Sequence, residues 1–465
     1  MKFTHGVITP RTLLSGGFSS VVLTALLTPT MSARADDWPQ WMGPKRDAVW
    51  RETGILDKFP SGGPKIRWRT PIGGGYAGPA IVKDRVYVTD RILAEGVKNP
   101  ANPFAAQPIP GKERILCLSD KSGELLWKHE YDCTYNISYP GGPRTTPIVH
   151  EGKVYTLGAM GDLFCLSADD GKVIWSKNFV KDFKAPVPMW GFAANPLLDG
   201  DKLICLVGGQ DHIVVAFDKN TGNEKWHALS FEKAGTQLGY CPPVIYEAGG
   251  KRQLIIWHPE SVNSLDPETG KLYWSEPYNA NANLTVSMPR QQGDLLLVTS
   301  FYNGAMMLKL AADKPAATVL WRSKGRGERP EQTDKLHSIM TTPFIKGGYI
   351  YGVCSYGELR CLRADDGKRV WMTLKATGAH DETERWANAF LIAQGDRFFL
   401  PNEKGDLIIA RLTPKGYEEI DRAHILEPTS PLSDRKVVWS HPAFAHKSMY
   451  ARNDKEIVCV SLAAE

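Results

Sequence analysis

Tryptophans that recur at a near-constant spacing predict an all-β chain. The expected fold is an eight-bladed β-propeller of four-stranded antiparallel blades, closed by an N-terminal strand that completes the last blade. Trp127, Trp175, Trp226, Trp274, Trp321 and Trp371 stand 47 to 51 residues apart, which suits one four-stranded blade each. All but Trp321 follow a glycine by four residues, as in Gly171/Trp175 and Gly367/Trp371. Composition agrees, because 14 Trp, 43 Gly and 32 Pro supply large anchors between many tight turns.

One unit can be read strand by strand. Thr146-Pro147-Ile148-Val149 opens an innermost strand and has its counterpart in Thr342-Pro343-Phe344-Ile345. A glycine turn then leads into Val154-Tyr155-Thr156-Leu157, and Gly161-Asp162 leads into Leu163-Phe164-Cys165-Leu166. Asp169-Asp170-Gly171 makes the next hairpin, with glycine at the positive-φ position that side chains resist. The outermost strand ends in Trp175, whose flat face can fill the wedge between blades. Innermost strands are expected from Pro79, Pro147, Pro196, Pro243, Met288, Pro343, Ala389 and Pro442. The last unit stops after Ile457-Val458-Cys459-Val460, and Lys65-Ile66-Arg67-Trp68-Arg69 can supply its missing outer strand and cover both sheet edges. Leu93 to Arg114, rich in Ala and Pro, reads as an irregular surface loop of the first blade.

A hydrophobic fraction of 42% with 23% charged residues describes a globular core and excludes disorder, collagen and a polytopic membrane protein. Residues 1–35 read as a signal peptide: Lys2 and Arg11, an apolar stretch too short to span a bilayer, Pro29, then Ala33-Arg34-Ala35. Cleavage near Ala35 predicts a periplasmic or secreted protein with no transmembrane segment. Three of the 56 basic residues leave with that segment, so most of the formal +5 goes too and nothing argues for nucleic acid. The expected organisation is a strap over 36–64 and one propeller over 65–465, a monomer. Cys117, Cys165, Cys361 and Cys459 sit at equivalent places in apolar strands, as reduced packing residues do. Cys133, Cys205, Cys241 and Cys354 carry no such signal.

The Asp-x-x-[Thr/Ser/Asp]-Gly-Lys-x-x-Trp units resemble the pyrroloquinoline-quinone (PQQ) repeat family over nearly all of residues 65–462. Asp37-Trp38-Pro39-Gln40-Trp41-x-Gly43-Pro44, with Gly62-Gly63-Pro64, is similar to exported planctomycete-type members. The resemblance implies one of two activities, because the family holds quinoprotein dehydrogenases and non-catalytic relatives such as the assembly factor BamB.

Residues just before each innermost strand should crowd around the propeller axis. The candidates are Arg144, Thr145, Trp190, Asn195, Tyr240, His337, Arg385, Trp386, Asn388, Trp439 and His441. The two arginines can bind carboxylates bidentately and the three tryptophans can stack on a planar ring. That suits a tricarboxylated quinone, an acidic peptide or a sugar; the competing reading is strand-end capping in a wet channel. A PQQ-dependent alcohol or sugar dehydrogenase also needs a Ca²⁺ site of hard oxygen ligands and a carboxylate base. The resemblance implies a vicinal Cys-Cys pair for such enzymes, and this chain has none. Its acids near the axis are Glu384 with Asp381 and Glu382, and no acidic calcium loop is present. The histidines show no ligand spacing, so no metal site and no catalytic residue are assigned. The expected function is a non-catalytic binding module for an envelope protein or polymer, and the alternative is the PQQ-dependent dehydrogenase; PQQ is the candidate cofactor, ahead of Ca²⁺, and no cofactor is the competing reading.

Overall fold

The computed structural model describes residues 36–325, 327–378 and 382–464, so the expected signal peptide and Asp381 lie outside the described residues. Eight antiparallel four-stranded sheets follow one another along the chain. Blade one comprises Ala80–Val82, Arg85–Leu93, Gly111–Ser119 and Leu125–Asp132, and blade three comprises Leu197–Asp199, Lys202–Gly209, His212–Asp218 and Glu224–Ala228. Blade eight is completed as expected: Ile66–Pro71 pairs antiparallel with Glu456–Ser461, with Trp68 opposite Cys459 and Thr70 opposite Ile457.

The Gly-to-Trp spacing has a steric cause. Gly123, Gly171, Gly222 and Gly270 all have φ between +72° and +75°. On each of them lies the ring of the preceding blade: Trp68, Trp127, Trp175 and Trp226 in turn. A Cβ on Gly171 would stand 2.5 Å from Trp127 Cε3, so glycine is needed for space as well as for φ. The indole nitrogens complete the contact. Trp68 donates to Asp120 O (2.7 Å), Trp127 to Ala168 O (3.0 Å), Trp175 to Lys219 O (3.1 Å), Trp321 to Ala364 O (2.9 Å) and Trp371 to Thr413 O (2.8 Å). Five blades are thereby fastened to the next by a directed hydrogen bond; Trp226 packs on Gly270 without an acceptor for its nitrogen, and Trp274 donates to Gln253 within its own blade (2.8 Å).

A bulge recurs in the outer strand pair of all eight blades, as between Cys165 and Leu166 opposite Trp175 and Val173. One residue of the outer strand is thus left without a direct opposite number beside each closing position.

The strap runs along the free edges of the innermost strands. Trp38 exchanges backbone hydrogen bonds with Ile81, Val149 N donates to Pro39 O (2.9 Å), and Trp50 N donates to Ala393 O (2.8 Å). Arg46 is buried, and its guanidinium donates to the carbonyls of Pro196 (2.7 Å), Asn195 (3.3 Å) and Pro243 (3.3 Å). Burial lowers its pKa to about 10, still cationic at neutral pH. Arg46 thus ties together the connections of blades three and four near the axis.

The segment expected as a loop over 93–114 is shorter than that. Strand pairing continues to Leu93 opposite Gly111, so the connection spans 94–110. The added pairs are held by Arg114 on Asp90 (Nε 2.8 Å) and by buried Glu113, which accepts from Tyr131 and Tyr135. All eight cysteines are buried free thiols, including the four that the sequence left open. Burial pushes Cys117 up to about 12, which keeps it protonated and inert.

At the closure, His446 Nδ1 lies 3.1 Å from Asp120 and Nε2 lies 3.3 Å from Asp37 of the strap. Hydrogen bonds to Asp120 and then Asp37 raise its pKa to about 9. The folded value exceeds the unfolded value of about 6.5, so the stabilisation is complete below about pH 6 and is lost as pH rises through 9. Urea midpoints of the wild type should fall from pH 6.5 to pH 10, and His446→Gln should flatten that fall. Gly171→Ala should lose about 2–3 kcal/mol by denaturant titration, from the φ penalty plus displacement of Trp127.

Candidate functional site

The connections from each outer strand to the next innermost strand meet over the strap at one end of the axis. They enclose a cavity of about 420 Å³ whose lining includes Trp41 of the strap. Of the eleven residues expected near the axis, Arg144, Trp190, Asn195, Tyr240, Arg385, Trp386, Trp439 and His441 line this cavity.

Thr145, His337 and Asn388 do not. Thr145 is buried with its hydroxyl on Leu157 O (2.6 Å), because it lies between Arg144 and Thr146, which both reach the cavity. His337 is fully buried, its Nδ1 on Phe301 O at 3.1 Å and its Nε2 3.8 Å from Asp334. It stands several residues before its innermost strand, which begins at Phe344, and so does not share the place of His441. Asn388 is buried and its Oδ1 accepts from Thr341.

Sequence reasoning missed the apolar half of the lining: Leu284, Val286, Phe301, Ile339 and Met340. A signal was present for Met340. Aligning Thr341-Thr342-Pro343 with Thr145-Thr146-Pro147 puts it in the place of Arg144. Phe104 was also missed, because the 94–110 insertion has no counterpart in other blades.

The mouth is built of aromatic rings in edge and tilted contact. Phe104 meets Tyr139 (centroids 5.0 Å) and Trp386 (5.9 Å), and Tyr139 meets Trp439 (6.0 Å). Deeper in, Trp190 packs on Tyr240 at 5.5 Å. Tyr139 and Trp386 have φ of +53° and +66°, a left-handed conformation that costs a bulky residue about 1 kcal/mol or more. Backbone hydrogen bonds hold them there: Tyr139 N to Pro103 O (2.6 Å) and Trp386 N to Ser355 O (2.9 Å).

Both cavity arginines are engaged within the chain. Arg144 donates to the carbonyls of Gly142, Ser138 (3.1 Å) and Tyr139 (2.5 Å), and its guanidinium carbon lies 5.2 Å from the Tyr76 ring. Arg385 pairs with Glu328 at 2.7 Å and covers the Trp386 ring at 4.2 Å. Behind the wall, Arg435 lies 3.0 Å from Glu384 and 3.0 Å from Glu403, and donates to Arg385 O (2.8 Å). Glu403 accepts from Trp439 Nε1 (3.0 Å); burial raises its pKa, opposed by Arg435 and this hydrogen bond. Arg435 comes from a hairpin, Ser430–Leu432 with Arg435–Val437, that the repeat did not announce. His441 stays neutral, since burial lowers its pKa to about 4. No acid is among the described residues that line the cavity.

An aromatic, largely apolar chamber of this kind can take a planar or apolar group by stacking. The quinone of the resembling dehydrogenases requires free cations for its carboxylates and an oxygen-rich calcium site. The described lining residues do not fit that pair, because the arginines are compensated by backbone and Glu328 and no carboxylate faces the chamber.

Comparison with known proteins gives one family and two kinds of relative. The sequence pattern of the family described as "Outer membrane protein assembly factor BamB" matches residues 111–373. The chain is 22% identical over 271 residues to the outer membrane protein assembly factor BamB of Shewanella oneidensis, covering 57% of this chain and 65% of that protein. It is 26% identical over 205 residues to a quinohemoprotein alcohol dehydrogenase of Pseudomonas putida, covering 42% of this chain and 28% of that protein. Each match therefore spans less than two thirds of the relative's own length. Among solved structures, the quinohemoprotein alcohol dehydrogenase of Comamonas testosteroni superposes with a TM-score of 0.60 at 13% identity, covering 92% of this chain and 81% of that one. At that identity the likeness establishes the fold alone.

Glu403→Ala should leave Trp439 Nε1 without its acceptor and Arg435 with Glu384 alone, costing about 1–3 kcal/mol by thermal unfolding. Glu403→Gln should recover part of that loss and keep the tryptophan emission maximum closer to wild type.

Proposed function

We propose, from the premise that this chain belongs to the family described as outer membrane protein assembly factor BamB, that it is a non-catalytic binding module of the cell envelope. It acts as a monomer outside the cytoplasm once residues 1–35 have been removed. Residues 36–64 serve as its strap and 65–465 as the propeller. The ligand is an apolar or aromatic group presented by an envelope protein or polymer, seated between Trp190, Trp386 and Trp439.

One observation carries this reading: a chamber lined by aromatic and apolar side chains whose two arginines are already compensated and whose described lining holds no acid. Such a surface binds by stacking and desolvation, and its described lining holds no carboxylate to take a proton from an alcohol. Among the described residues, no helix is long and apolar enough to cross a membrane. The second reading, a PQQ-dependent alcohol or sugar dehydrogenase, is favoured by the planar aromatic walls and by relatives of that name. Among the described residues that line the chamber there is neither a carboxylate base nor an oxygen-rich calcium site.

Titration of the purified protein with PQQ and Ca²⁺, followed by dye reduction over an alcohol and sugar panel, separates the two. The binding reading expects no saturable change in cofactor absorbance and no turnover; either signal would replace it with the dehydrogenase. In parallel, affinity capture from envelope extract should retain a partner that Trp386→Ala and Trp439→Ala each release. A partner retained equally by both variants would move the binding surface away from the chamber.

A further inference from the structure

We infer that His212, Glu224 and His227, on the outer part of blade three, form a site for a divalent transition-metal ion. One ligand atom from each lies within 4.8 Å of the others. The cluster depends on the recurrent bulge. Glu224 is opposite Phe217 and Trp226 is opposite Ala216, so Lys225 is the extra residue between them. That insertion returns Glu224 and His227 to the same face of the sheet, although a spacing of three along a regular strand would place them on opposite faces. His212, at the start of the neighbouring strand, stacks on His227 with centroids 4.0 Å apart and 28° between the planes.

The hydrogen bonds set both rings for ligation. His212 Nδ1 is 2.5 Å from Gln210 O and His227 Nδ1 is 2.6 Å from Glu224 Oε1. A carbonyl and a carboxylate can only accept, so each Nδ1 carries the proton and each Nε2 keeps its lone pair. That arrangement, with Nδ1–H on a backbone carbonyl or a carboxylate, is the usual second shell of a metal-bound imidazole. Two imidazoles and a carboxylate at a half-exposed position suit Zn²⁺, Ni²⁺ or Cu²⁺, with the remaining positions open to water or to a partner's ligand. Blade three also departs from its own repeat here. At the bulge position of Glu224 the neighbouring blades carry the exposed apolar residues Val173 and Leu272, and in place of His227 they carry Ser176 and Ser275.

The site is tested on the purified full chain with ZnCl₂ alone by calorimetry and with Cu²⁺ by electron paramagnetic resonance. One equivalent of Zn²⁺ should bind saturably, and the Cu²⁺ spectrum should show coupling to two nitrogens. His212→Ala and His227→Ala should each weaken Zn²⁺ binding at least about tenfold, and Glu224→Gln should weaken it by up to about tenfold. His150→Ala, a half-exposed histidine on blade two, should leave the isotherm unchanged. No saturable heat in the wild type, an isotherm indifferent to His212→Ala and His227→Ala, or equal weakening by His150→Ala overturns the assignment. Circular dichroism of each variant separates a lost site from a lost fold, and the nitrogen count on the wild type needs no variant.

Discussion

The contact on which the ring depends is an indole lying flat on a glycine of the next blade. It joins three requirements in two residues: positive φ at the hairpin, absence of a Cβ beneath the ring, and a backbone carbonyl within reach of the indole nitrogen. Each such Trp buries roughly 2–3 kcal/mol of apolar surface. At four of the junctions between blades this contact sets how closely one blade approaches the next. With that spacing fixed, the connections between blades are free to vary, and their variation builds the chamber.

The strap has a second role beyond joining the ends. It satisfies edge groups of innermost strands in blades one, two and seven and turns a through-channel into a chamber with a floor. Trp41 belongs to that floor, while Arg46 closes three carbonyls behind it. The aromatic mouth is braced by a chain of ion pairs and hydrogen bonds from Glu328 through Arg385, itself part of the lining, to Arg435 and Glu403 behind the wall. Charge thus serves to position the tryptophans, and the chamber itself stays weakly polar.

The blade count, the closing strand and the role of the closing tryptophans were legible from one sequence, because a period near fifty residues with fixed punctuation repeats the same steric requirement. The site was legible only in part. Offset from the innermost strand located Arg144, Trp190 and Trp439, since that offset is a property of the repeat. It failed for Thr145, where alternation within the connection turns the side chain inward, and for His337, which stands as far before its strand as Trp190 does but is held inward on Phe301 O. Phe104 could not be found that way, since it rides on an insertion. His212 and His227 were scattered histidines in the sequence; fifteen residues and a bulge separate them, and only the pairing register brings them together.

The closing strand also sets an order of events. Ile66–Pro71 meets Glu456–Ser461 across almost the whole length of the chain, and Leu56 N finds its acceptor on Leu462. Loop-closure entropy for such a contact is not recovered until every intervening blade is in place. A nascent or partly folded chain therefore carries Ile66–Pro71 as an unpaired strand and, once blade eight has formed, the open edge of Glu456–Ser461 as well. Assembly of the ring is a terminal step, and the interval before it is when this protein is most exposed to misassociation with other strands.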